Sequence, residues 1–518
     1  MALPRCAGVL LPLFSVRTAC GWGLGELPDL AALAPWMQRT GLRVLMTLPL
    51  LEVALGQASP YSALSAFALD PAHLALGELE DFEELGGETA LPRADRDCLD
   101  HLRQAAQVDW SEIRRLKGTW LRRSFDRFLA SGAGNGSERA RDLEAFRDRE
   151  RSWLFDYALF RALKDAQPEG WWRVDWPEAL RRREPAAMAK AREKLARSCA
   201  YYEYVQWVAH RQLEAARAQA RRFEVLFAGD LPFMVAEDSA DAGARQDELR
   251  FDASIGAPPD EYSKEGQDWG LPVYRWEVIA SRGFDWLRKR GKRMAEAFDL
   301  VRVDHVVGFY RTYVRPRDGS KPFFSPRAEA EQLRQGETVI AALRSGGASV
   351  VAEDLGVVPA FVRRSLGRLE VPGFRVLRWE KEEDGRFRDP AGWPALSVAT
   401  TGTHDTTTLA TWWEELTPSE RKQVCAVPAL RGLVEASSFS PQVHQSLLEA
   451  VYQSGSGLTL VPVQDLYGLR DRINVPGTVG AANWTWRLPW TLPQLMGDPQ
   501  CRAQGGSLRR LAERSGRA

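Results

Sequence analysis

Three short strings place acids where chemistry could use them: "VRVDH" (301–305), "AEDLG" (352–356) and "TGTHD" (401–405). Each closes a run of apolar and β-branched residues, so Asp304, Glu353 and Asp405 fall where buried strands would end. Two carboxylates facing each other across a bond serve glycoside chemistry: one attacks or stabilises the anomeric carbon and the other protonates the leaving oxygen. A third carboxylate can hold sugar hydroxyls as oxocarbenium character develops. Each string alone has a plainer use. Asp405 and its threonines could cap the helix that follows, Arg302 and Asp304 could form a buried ion pair, and "AEDLG" could begin a solvated helix. Their occurrence in order at three strand ends favours chemistry over all three.

The elements that must position these acids are eight apolar runs: "GVLLPLF" (8–14), "RVLMTLPL" (43–50), "EVLFAGDLPF" (224–233), "LVRVDHVVGF" (300–309), "SVVAEDLG" (349–356), "FRVLRWE" (374–380), "LSVATTGTHD" (396–405) and "LTLVPVQD" (458–465). Helical segments lie between most of them, for example "AEAEQLRQGETVIAALRSGG" before the fifth. Alternating strand and helix argues for parallel βα units, and eight of them make a (β/α)8 TIM barrel, whose active site lies at the C-terminal strand ends. The spacing predicts one catalytic barrel spanning residues 1–518 with two insertions. Residues 92–222, after the second strand, carry apolar positions at three- and four-residue steps and read as a helical insertion. Residues 233–276, after the third strand, read as a loop-rich insertion.

Composition narrows the class. Apolar content is 45% and charged content 27%, as in an ordinary soluble protein. With 69 basic and 69 acidic residues the formal charge is zero, so a nucleic acid partner is not expected. The six cysteines (Cys6, Cys20, Cys98, Cys199, Cys425, Cys501) are scattered, which fits reduced thiols and a cytoplasmic location. No run is long enough to span a membrane, and "AGVLLPLF" lacks the exit of a signal peptide. Six histidines form no metal-ligand pattern, and neither a G-x-S-x-G nor a complete dinucleotide or Walker motif is present. No metal and no organic cofactor is expected. The 19 tryptophans suit large cores more than sugar platforms. Oligomeric state leaves no trace in the sequence.

With these residues in view, the chain resembles the amylomaltases, the 4-α-glucanotransferases of glycoside hydrolase family 77 in the α-amylase superfamily. The blocks that carry the resemblance are "SPYSALSAFALDP" (59–71), "GDLPFMVAEDSAD" (229–241), "GAPPDEYSKEGQDWGLPVYRW" (256–276), "LVRVDHVVGF", "VVAEDLGVVP", "TGTHD", "VPVQDLYGL" and "INVPGTVGAANWTWR" (473–487). The resemblance implies Asp304 as nucleophile, Glu353 as general acid/base and Asp405 as the acid that grips the distorted sugar. It implies Arg302, His305 and His404 as donor-site ligands, and Gln267 and Trp269 in a loop covering the site. Tyr61 and Asn474 match positions near the glucan, Asp230 an acid in support, and Glu380 a sugar contact for which Asp384 is the alternative. Many relatives carry Asn-Asp after the third acid, where this chain has Thr406 and Thr407.

The activity implied is transfer of an α-1,4-glucan segment to the 4-hydroxyl of an acceptor by retaining double displacement, with maltooligosaccharides, starch or glycogen as partners. Arg302 is expected to keep Asp304 ionised, and burial to raise the pKa of Glu353. Two alternatives share these residues: a hydrolase of the same superfamily, with water as acceptor, and a catalytically dead glucan-binding protein.

Overall fold

The computed structural model describes residues 5–131, 136–259, 264–430, 433, 438–478 and 480–518. Among the described residues there are twelve strands: β1 Cys6–Leu10, β2 Val44–Met46, β3 Leu226–Leu231, β4 Leu249–Ala257, β5 Gln267–Tyr274, β6 Leu300–Val303, β7 Thr312–Pro316, β8 Phe323–Ser325, β9 Ser349–Ala352, β10 Gly373–Val376, β11 Ser397–Thr400 and β12 Leu458–Pro462. Eight close a parallel barrel in the order β1-β12-β11-β10-β9-β6-β3-β2, so the ring follows chain order and β1 pairs with β12, Cys6 opposite Leu458. This is the (β/α)8 barrel read from the eight runs. Parallel strands covered on both faces need apolar side chains throughout, and β1, β2, β6, β11 and β12 are buried at every position.

The strands are shorter than the apolar runs that announced them. "LVRVDHVVGF" holds only Leu300–Val303 as strand. His305 then takes a left-handed backbone (φ 44°), which turns the chain into the helix Val306–Tyr310. Between β2 and β3 lie the helices Arg93–Gln104, Trp110–Ala130, Glu138–Ala166, Pro185–Lys194 and Ala196–Arg221. Buried polar contacts tie them to the segments that follow β1 and β2. Lys117 Nζ donates to Glu26 (2.5 Å) and to the carbonyls of Ala72 and Leu74 (2.7 Å each), and the amides of Gln206 and Gln212 pair with the backbone of Leu69 and Ala75.

Residues 233–276 hold strands as well as loop. They contain β4 and β5, which join β7 and β8 in a four-stranded antiparallel sheet of order β5-β4-β7-β8. The register of β4 against β5 is interrupted, and Gly270 and Pro272 break the alternation that would have announced the strand. Among the described residues no helix is long and apolar enough to cross a membrane. Trp22, Trp207, Trp286 and Trp413 are among the largest fully buried side chains, so these tryptophans serve the core.

Candidate active site

Sheet register assembles the charged centre before any side-chain contact is made. Asp230 on β3 stands opposite Arg302 on β6, and Arg302 opposite Val351 on β9, so one basic and one acidic side chain share a level of the barrel near its C-terminal rim. One residue beyond the strand ends, the Asp304 N–H donates to the Leu231 carbonyl (3.1 Å) and the Glu353 N–H to the Val303 carbonyl (3.0 Å), which fixes where both acids leave the sheet.

The Arg302 guanidinium gathers three carboxylates. Its Nη1 lies 2.6 Å from both oxygens of Asp230 and 3.1 Å from Asp304, and its Nη2 lies 3.1 Å from Glu353. Asp230 has no side-chain exposure, whereas Asp304 and Glu353 keep 21% and 23%, so the last two are the pair that a substrate can reach. The Tyr61 hydroxyl donates to Asp230 (2.7 Å), the His305 backbone N–H to Glu353 (2.7 Å) and the Phe233 N–H to Asp304 (3.4 Å).

The proton balance departs from the sequence expectation. Burial pushes the Asp304 carboxyl well up; Arg302 opposes that, while the charges of Glu353 and Asp230 add to it. Burial also pushes Glu353 up, but Arg302 and the His305 N–H lead the contributions that outweigh it and hold Glu353 below its usual range. The Asp304 carboxyl is thus raised and the Glu353 carboxyl lowered, the reverse of the order that sequence suggests. The reason is that Arg302 and a backbone N–H both stabilise the ionised form of Glu353. Burial lowers the His305 imidazole to about 4, so that ring is neutral at ordinary pH.

Asp405 follows β11 by five residues and is the most exposed of the three acids, at 43%. Asn474 Nδ2 donates to its Oδ1 (2.7 Å), Arg472 to its backbone carbonyl (2.7 Å), and His404 Nε2 lies 3.4 Å from its Oδ2. The capping alternative belongs to a neighbour: Thr408, not Asp405, is the N-cap of the helix Leu409–Glu415. Thr406 bonds back to Thr403 through both its donor and acceptor.

Aromatic rings pack against the histidines beside the acids. Tyr61 stacks on His404 (5.3 Å between centroids, 20°), Trp484 leans on both, and Trp269 stands edge-on to His305 (4.8 Å) with its N–H on Gln267. Gln267 and Trp269 lie on the edge strand β5, where the resemblance implied a loop. Glu380 is not drawn into the Arg302 cluster. Burial raises its carboxyl, and the charges it feels are those of Arg375, Arg388, Arg363 and Asp354. Its alternative, Asp384, is exposed and tied to Arg386. Three contributors escaped the residue reading: Phe233, Trp484 and Arg472. All lie in or beside blocks already noticed, but a backbone N–H, an apolar ring and a carbonyl contact carry no sequence signature of their own.

Comparison with known proteins assigns the family. The family model described as 4-alpha-glucanotransferase, glycoside hydrolase family 77, matches residues 11–492. The chain is 32% identical to a 4-alpha-glucanotransferase of Thermus thermophilus over 507 residues, covering 94% of this chain and 95% of that one. It is 30% identical to one of Chlamydia pneumoniae over 503 residues, covering 94% and 92%. Among solved structures, an amylomaltase of Streptococcus agalactiae in complex with acarbose shares the fold with a TM-score of 0.83 at 24% identity, covering 99% of this chain and all of that one. The chain belongs to glycoside hydrolase family 77, the 4-alpha-glucanotransferases.

Proposed function

We propose that Asp304, Glu353 and Asp405 carry the transfer of α-1,4-glucan segments between maltooligosaccharides or longer glucans, by retaining double displacement within a single cytoplasmic catalytic unit that includes both insertions. The observation that supports this reading most is the single Arg302 guanidinium shared by Asp304 and Glu353, which couples the two acids into one proton-holding pair open to the cleft. Glu353 enters the first step protonated. Asp304 attacks the anomeric carbon, the bond to O4 of the leaving glucan breaks, and Glu353 gives that oxygen its proton. Glu353 then takes the proton of an incoming 4-hydroxyl, whose oxygen displaces Asp304 and restores the α-linkage. Asp405, steadied by Asn474, holds the hydroxyls of the distorted sugar. Neutral His305, with His404 and Tyr61, lines the donor side, and Trp269 with Gln267 shields the intermediate from water. No cofactor enters this scheme.

Incubation with maltotriose tests it. Transfer yields a ladder of longer maltooligosaccharides plus glucose with constant reducing ends; hydrolysis yields only shorter sugars with rising reducing ends. Asp304→Asn is expected to abolish the ladder, and an unchanged ladder in that variant would remove Asp304 from the nucleophile's role.

A further inference from the structure

The loop from Thr401 to Leu409 carries His404 and Asp405 at its apex, and it is held at both ends by two buried charges from neighbouring barrel units. Arg378, in the turn that follows β10, donates from Nε to the Thr401 carbonyl (3.2 Å) and from Nη1 to the Thr407 hydroxyl (2.9 Å). Asp465, in the helix Val463–Tyr467 after β12, accepts from the Thr401 hydroxyl (2.5 Å) on one oxygen and from the Leu409 N–H (2.7 Å) on the other. Thr401 is thereby gripped twice, by its carbonyl and by its hydroxyl. Arg378 and Asp465 are 8% and 2% exposed, and the Trp412 ring lies 5.5 Å from the guanidinium carbon. Gly402 leaves room for the guanidinium: a Cβ there would stand 3.3 Å from Arg378 Nη2 and 2.4 Å from the Thr406 hydroxyl.

We propose that Arg378 and Asp465 are positioning residues for the third acid: together they clamp the ends of the loop and so aim Asp405 at the sugar. Two barrel units, β10 and β12, thus fix the loop of β11 that lies between them in the ring. The clamp needs a planar fork, because a carbonyl on one arm of the loop and a hydroxyl on the other must be met by one rigid group. A lysine supplies a single point donor and cannot span them. The proposal rests on the reading of Asp405 as the acid that stabilises the transition state. A loosened loop should therefore slow the chemistry far more than it weakens ground-state binding, to which His404 on the same loop contributes.

The test is the steady-state kinetics of maltotriose disproportionation with Arg378→Lys, Thr407→Val, Thr407→Ser and Asp405→Asn, alongside thermal unfolding of each. Arg378→Lys and Thr407→Val are expected to lower kcat about tenfold to a hundredfold, with KM within about threefold. Thr407→Ser, which keeps the hydroxyl, is expected to recover most of the rate. Thr407→Val preserves shape, so it stands in should Arg378→Lys fail to fold. The proposal is overturned by a kcat within twofold of the parent in Thr407→Val, by a rise of KM at constant kcat, or by equal loss in Thr407→Ser and Thr407→Val. Asp405→Asn separates the two readings. If it retains the parental rate, the role of Asp405 itself is wrong. If it is inactive while the clamp variants are not, only the clamp is wrong.

Discussion

Replacing Asp230 by asparagine should move the pH profile of the enzyme without touching either member of the acid pair. Asp230 and Asp304 both accept from the same Arg302 nitrogen, at 2.6 and 3.1 Å. Their oxygens therefore lie within about 6 Å, where two like charges repel by about 3 kcal/mol at an effective dielectric of about 20. At about 1.4 kcal/mol per pH unit that repulsion is worth about 2 units, of which relaxation leaves about 1 to 2. The sign follows from the site: the Asp230 charge helps to hold the Asp304 carboxyl up, so its removal makes the shared proton easier to lose and a second proton harder to gain. Both limbs of the bell-shaped kcat/KM profile should move toward acid by that amount, while the introduced side-chain amide still accepts from Tyr61 or Arg302 through its oxygen and preserves the packing. The assay is glucose release from maltotriose between pH 4 and 10, each point fitted for kcat/KM. The height of the bell is free to fall. An alkaline shift, or limbs that stay within a few tenths of a unit, would refute the idea that Asp230 tunes the pair by charge.

Two further outcomes follow from the packing. Trp269→Ala removes the ring that stands edge-on to His305, and it should raise the share of reducing ends released from maltotriose relative to ladder products several-fold; an unchanged ratio would show that β5 is no water shield. Lys117→Met strands the buried Glu26 carboxylate, which burial already pushes upward, and should destabilise the chain by about 3 to 5 kcal/mol in chemical denaturation. Because Glu26 is protonated more readily folded than unfolded, that loss should grow from pH 5 to pH 8. A loss that shrinks with pH would contradict the assignment.

The sequence discloses the ring and the acids because both depend on local pattern. Eight apolar runs separated by helical segments leave few alternatives to a closed barrel, and acids at the ends of such runs are conspicuous. What it does not disclose depends on partners far along the chain. The β4–β5 pair is hidden because Gly270 and Pro272 interrupt its alternation, and its strands gain their place from β7 and β8. Arg302 is visible beside Asp304, but its contact with Glu353, 51 residues away in the chain, holds that carboxyl down, which adjacency does not suggest. Glu380 and Asp384 both sit after β10, and only coordinates separate a half-buried carboxylate among arginines from an exposed one paired with Arg386. Arg378 is a third case. Nothing in "FRVLRWE" distinguishes a surface arginine from one that spans two loops.

The pairing of β1 with β12 reaches beyond the finished enzyme. A ring whose first and last strands are neighbours cannot shut until residues 458–462 have left the ribosome, although Asp304, Glu353 and Asp405 are all made before them. Until then β1 and β11 each present an unpaired edge, the surface on which chains stick to one another. Synthesis of this protein thus passes through an interval in which the chemistry is encoded and exposed but not yet enclosed. Chaperone demand and aggregation during expression should concentrate in that interval.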